Sequence, residues 1–175
     1  MYDRVFSDLK IKNVKLKINH RKLLAGIAGK FGVKERLADF TIALDKLDKI
    51  GKEGVFDELI SKGFTSDSLL LLEELLLLNG KPLQQLKVLK SILADQPEGI
   101  EGIEELEFIF KQFNQSTLNS VQLDFDLTLA RGLHYYTGMI VEVSPPNSTK
   151  IGSNGGGGRY DDLTSTFGLN NMSGI

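Results

Sequence analysis

At 175 residues, 41% hydrophobic and 25% charged, the chain is long enough for one globular domain, or for one domain carrying an insertion. Its lack of cysteine excludes disulfides and thiolate metal sites, and two distant histidines, His20 and His134, argue against a histidine-rich metal site. The net charge of −2 conceals an asymmetry: residues 1–36 hold ten Lys or Arg against three Asp or Glu, and the rest hold eleven against twenty. The basic end could face a polyanion such as RNA, or only solvent.

The first residues, MYDRVFSDLKIKNVKLKI, contain no apolar stretch of the kind a secretory signal needs, so a cytoplasmic protein is expected. Residues 11–19 alternate as a strand does, with Val14, Leu16 and Ile18 on one face and Lys15 and Lys17 on the other. HRKLLAGIAGKFG then reads as a helix ended by glycine. The middle of the chain is helical by pattern. KERLADFTIALDKLDKIG spaces Leu37, Phe40, Leu44 and Leu47 three and four apart, and KEGVFDELISKG is a shorter helix with a glycine stop. TSDSLLLLEELLLLNG opens on Ser and Asp as capping residues and closes on Asn79–Gly80. Its run LLLLEELLLL is far shorter than the roughly 20 residues of a membrane span and carries two glutamates, so no membrane partner is expected. Pro82 suits the first turn of the next helix. PEGIEGIEELEFIFKQFN places Ile103, Leu106, Phe110 and Phe113 on one stripe, as core-facing helices do.

Near residue 120 the period changes to two. Val121, Leu123, Phe125, Leu127 and Leu129 alternate with polar residues, which predicts a half-buried strand. GMIVEVS reads as a second strand reached through the turn that holds the two adjacent tyrosines, GSNGGGG as a Gly-rich stretch, and Tyr160–Asp161–Asp162 as a helix start. Strand and helix in front, helices in the middle and strands behind predict an α/β (α+β) sheet domain interrupted by a helical insertion. The expected divisions are residues 1–36 and 120–175 for two parts of the sheet domain, and 37–119 for the insertion.

Three features could carry chemistry. Arg131 follows a strand end and precedes a glycine, and its fork of donors suits a carboxylate or a phosphate. Tyr135 and Tyr136, two of only four tyrosines, follow it. In extended backbone they would point to opposite faces, as a pocket wall or as hairpin packing. The four glycines before Arg159, Tyr160 and Asp161 let backbone approach a ligand or another backbone closely, and no Lys-Ser or Lys-Thr follows them as a P-loop requires.

Together, ARGLHYYTG followed about twenty residues later by GGGRYDDL resembles the paired histidine-binding motifs of histidyl-tRNA synthetases. INHRKLL near the front resembles that family's INxRKLL signature, and the helical middle sits where those class II enzymes carry an insertion. The resemblance implies part of an antiparallel-sheet catalytic domain. It implies Arg131 as the catalytic arginine that meets the substrate carboxylate and the α-phosphate. Tyr135, Tyr136 and Tyr160, with Gly157 and Gly158 as close backbone walls, would bind histidine, and Tyr160 would hydrogen-bond the imidazole. It implies ATP with Mg2+ as cofactor, tRNA(His) as partner and a homodimeric enzyme. At position 134 the family usually has Asp, and His134 is read as a lineage variant. Nothing in the sequence matches motif 1, the motif 2 arginine, the motif 3 arginine or the anticodon-binding domain. The chain is therefore expected to be an internal segment of a larger enzyme, inactive and without bound cofactor on its own. The other reading of the same motifs is a synthetase-like regulatory subunit of histidine biosynthesis that acts by binding histidine.

Overall fold

A computed structural model of the chain describes residues 1–130, 135–144, 146 and 153–175. It opens with a helix the sequence pattern did not give, α1 (Tyr2–Asp8). Tyr2 and Phe6 stack one turn apart and pack with Val14, Val121 and Val143, while the Asp3 carboxylate accepts the backbone N–H groups of Asn119, Ser120 and Val121. These bonds, above all the one from Ser120, hold the Asp3 carboxyl below its ordinary pKa. Strand β1 (Val14–His20) then runs directly into α2 (Arg21–Lys30).

The helical stretch continues through a 3₁₀ turn at Lys34–Arg36, then α3 (Leu37–Leu44), α4 (Leu47–Ser61), α5 (Ser66–Leu76), α6 (Pro82–Ile92) and α7 (Pro97–Asn114). The helix expected to run unbroken from Lys34 to Gly51 is divided after Leu44. Phe40, Ala43 and Leu44 are buried on one side of that break, and Lys46 turns to grip Glu58 at 2.8 Å on the other, so packing overrides the local pattern. Gly51 then breaks α4 internally, with φ 72°, where a side chain would be strained. The cap of α5 is Thr65, one residue earlier than the expected Ser, and its hydroxyl accepts the Ser68 N–H. Pro82 occupies the start of α6 as expected.

The remaining strands are β2 (Val121–Phe125), β3 (Met139–Ser144) and β4 (Gly155–Gly158), in the spatial order β2-β1-β3-β4. The β1–β3 and β3–β4 pairs are antiparallel, and β1–β2 is parallel. Parallel neighbours need a long crossover connection, and the whole run of helices from α2 to α7 supplies it. The strand expected over residues 121–129 stops at Phe125, because Asp126 accepts the backbone N–H and hydroxyl of Thr128 and folds the chain into a turn. The glycine stretch is an edge strand, and in place of a helix at Tyr160 there is a backbone bridge from Tyr160 to Gly174, then a 3₁₀ turn at Leu163–Phe167.

One hydrophobic core joins sheet and helices. It runs from Ile18, Phe125 and Ile140 through Leu24 and Ile27 of α2 to Phe40, Leu59, Leu72, Leu89, Ile103 and Leu106. Helices α2 and α7 approach so closely that a methyl group on Gly102 would lie 2.6 Å from the Leu23 nitrogen, and one on Gly26 would collide with Gly99. Phe113, expected on the buried stripe of α7, is 38% exposed.

Candidate functional site

The site is built where β1 ends, β3 begins and β4 ends. Arg131 and His134 lie outside the described residues. The residues just before position 131 are well anchored: Leu127, Leu129 and Ala130 are buried, and each gives its carbonyl to a side chain of the β1–α2 junction.

Tyr135 and Tyr136 do not point to opposite faces. Residues 135–138 lie outside any strand, just ahead of β3, and the two rings meet edge to face, with centroids 4.6 Å apart. Tyr136 packs against the main core, and Tyr135 is the more open of the two, at 40% exposed. The seat of Tyr136 is Gly158, where an added methyl would stand 2.8 Å from the ring and 2.7 Å from the Met139 carbonyl. Gly157, its neighbour along the strand, faces the other side, as strand alternation requires. Nothing stands within 4 Å of where its side chain would be, and it borders an apolar cavity of about 470 Å³ with Leu16, Leu123 and Val141. The Tyr160 ring lies over Gly174, whose missing side chain leaves room for it.

A polar strap joins the two sequence motifs. The Thr137 hydroxyl donates to Asp161 Oδ2 at 2.5 Å, Arg159 Nε donates to Asp161 Oδ1 at 3.0 Å, and the Thr137 N–H donates to the Arg159 carbonyl at 2.9 Å. The Thr137 hydroxyl first, and then Arg159, hold the Asp161 carboxyl below its ordinary pKa. Thus the tyrosine pair and the glycine strand, some twenty residues apart in sequence, form one surface.

Beside it lies an open cleft of about 660 Å³ bordered by Glu101, Glu105 and Phe108 of α7, and by Met139, Arg159 and Gly174. His20 anchors its wall. The ring is fully buried, its Nδ1 accepts the Lys22 N–H, and its Nε2 therefore carries the proton donated to Glu105 at 3.1 Å. Burial pushes the imidazole pKa down, and Glu105 pulls it only part of the way back. Partial burial works against the Glu105 carboxylate, but hydrogen bonds from Lys22 and His20 outweigh it and keep its pKa low. Lys22 also reaches Glu101 at 2.6 Å. The sequence reading missed Asn19, His20, Arg21 and Glu105; the INxRKLL signature was the one signal that pointed toward Asn19 and Arg21, and it leaves position 20 open. Among the described residues, no three His, Asp or Glu side chains converge. No helix among them is long and apolar enough to cross a membrane.

The family model for histidyl-tRNA synthetase matches residues 2–174. Over all 175 residues the chain is 49% identical to a histidine–tRNA ligase of Flavobacterium johnsoniae and 50% identical to that of Christiangramia forsetii, and it spans 37% and 38% of their lengths. The fold is similar to the crystal structure of histidyl-tRNA synthetase from Nostoc sp. PCC 7120, with a TM-score of 0.89 at 27% identity, covering 98% of this chain and 41% of that one.

Proposed function

The chain belongs to the histidyl-tRNA synthetase family, and from that premise we propose that it supplies the histidine pocket and helical insertion of a histidine–tRNA ligase. The full enzyme joins histidine to ATP as histidyl-adenylate, releasing pyrophosphate, and then passes the histidyl group to the 3′ end of tRNA(His). One observation carries this reading: the Thr137–Asp161–Arg159 strap and the seat of Tyr136 on Gly158 bring the two motifs onto one surface.

In this reading Tyr135, Tyr136 and Tyr160 enclose the histidine side chain. A site that hydrogen-bonds a polar side chain rejects analogues lacking it, because its own buried polar groups would be left unpaired. Arg131 meets the carboxylate and the α-phosphate and stabilises the charge that develops between them. Magnesium would accompany ATP and neutralise phosphate charge. Residues 37–119 form the insertion, residues 1–36 and 120–175 belong to the class II catalytic domain, and the enzyme is a cytoplasmic homodimer. The acidic balance of the helical part favours few phosphate contacts with tRNA. The ligase names of the two relatives at 49% and 50% identity favour this reading over the regulatory subunit.

The test is histidine-dependent ATP–pyrophosphate exchange by the full-length protein that carries this chain. Exchange is expected, and Arg131→Ala should lower it by about 10²- to 10³-fold. An intact protein that binds histidine yet gives no exchange would be the regulatory subunit instead.

A further inference from the structure

The β3–β4 ladder ends at the pair Ile140–Gly158, and both strands continue past it as irregular chain. The bonds that join them there are made by the immediate chain neighbours of two tyrosines. Thr137 follows Tyr136, and Arg159 and Asp161 stand on either side of Tyr160. The Asp161 carboxylate accepts the Thr137 hydroxyl on Oδ2 at 2.5 Å and Arg159 Nε on Oδ1 at 3.0 Å. The Arg159 side chain crosses Gly138, where an added methyl would stand 2.9 Å from its Cδ. Backbone bonds bracket the same segment. The Thr137 N–H donates to the Arg159 carbonyl at 2.9 Å, the Arg159 N–H to the Met139 carbonyl at 2.8 Å, and the Arg21 N–H to the Gly138 carbonyl at 3.0 Å. Tyr160 itself exchanges two backbone bonds with Gly174, of 2.9 and 2.8 Å.

We propose that Thr137 and Asp161 are positioning residues for histidine binding: the bond between them sets the spacing of Tyr136 and Tyr160, and with it the fit of the imidazole. The proposal rests on the reading of those tyrosines as histidine-binding given above. Three features support it. Thr137 adjoins Tyr136 and Asp161 adjoins Tyr160, so a shift of the strap passes to both rings with no flexible chain between. A carboxylate only accepts, and by giving one oxygen to Thr137 and the other to Arg159 it holds two donors at a fixed separation, with the added strength of a charged acceptor. The strap lies past the end of the ladder, so side chains supply the order that strand pairing no longer does. The Asp161 side chain is 46% exposed, and an exposed pair of this kind adds little to folding stability. Its consequence therefore falls on geometry, where a misplacement of about 1 Å can cost about a hundredfold.

The experiment uses the full-length ligase with Thr137→Val, Thr137→Ser and Asp161→Asn, the Thr137→Val/Asp161→Asn double variant, and Tyr160→Phe. Pyrophosphate exchange gives kcat and the KM values for histidine and ATP, calorimetry gives the histidine Kd, and thermal denaturation gives the unfolding midpoint. Thr137→Val and Asp161→Asn should each raise the histidine KM and Kd by about 10-fold, with kcat and the ATP KM changed by less than about threefold. Thr137→Ser, which keeps the hydroxyl, should bring the histidine Kd back to within about threefold of the natural protein. The double variant should bind histidine no more than about twofold worse than the weaker single variant, because both remove one bond. Unfolding midpoints should move by less than about 2 °C. Should Asp161→Asn fail to fold, Thr137→Val, which keeps the side-chain shape, decides the matter. An unchanged histidine Kd in the folded single variants would overturn the proposal, and so would an equal rise in the KM for ATP, losses that multiply in the double variant, or a Thr137→Ser protein as weak as Thr137→Val. An unchanged histidine Kd in Tyr160→Phe would instead overturn the reading of the tyrosines, and this proposal with it.

Discussion

A methyl group on Gly158 would press on both the Tyr136 ring and the Met139 carbonyl, whereas one on Gly157 would meet nothing. Gly158→Ala should therefore destabilise the fold by about 1–3 kcal/mol, and Gly157→Ala should change stability by no more than about 0.5 kcal/mol; thermal denaturation of the two variants checks this. His20 gives a pH signature. Its folded-state pKa is depressed below the ordinary 6.5 by burial, so its contribution is complete above pH 6.5 and is lost as pH falls through the folded value, where unfolding lets the ring take a proton. Glu105, also depressed, contributes above its ordinary 4.5 and loses that contribution further into acid. Urea midpoints at pH 7.5 and 5.5 should fall with acid in the natural chain, and fall less in His20→Gln. At this scale the motif residues were legible because they stand together in sequence. His20 and Asn19 were not, because their partners stand 85 to 110 positions away.

At the scale of elements, the tightest contact is the crossing of α2 and α7. Gly26, Gly99 and Gly102 let the two backbones touch, and Lys22, Glu101 and Glu105 lock the crossing on its open side. Gly26→Ala should cost about 1–3 kcal/mol by forcing the helices apart, read as a lower denaturant midpoint. The apolar stripes of α5, α6 and α7 were legible because a period of 3.6 survives in the sequence. The break after Leu44 and the end of β2 at Phe125 were not. In the first case the burial of Phe40, Ala43 and Leu44 outweighs local pattern, and in the second Asp126 makes a turn inside an unbroken alternation of apolar residues.

At the scale of the whole molecule, the helices are the crossover of a parallel β1–β2 pair, and one continuous core spans them and the sheet. Among the described residues the sheet ends on β2 and β4, and Asp3 takes the backbone N–H groups of Asn119, Ser120 and Val121 at the entry to β2. Strand edges template association, so the 175-residue chain should show a weight-average mass that rises with concentration in sedimentation equilibrium. A mass that stays at 19.4 kDa throughout would contradict this. The α/β class was legible from the change of period near residue 120, but the parallel pairing was not, because nothing local encodes which strand a distant segment joins. The proposed function is that of a histidine–tRNA ligase built around this sheet and its two motifs. The most direct test is charging of a tRNA(His) transcript with labelled histidine by the full-length protein. Charging that requires ATP and is specific for histidine is expected. Histidine binding with no charged tRNA would contradict it.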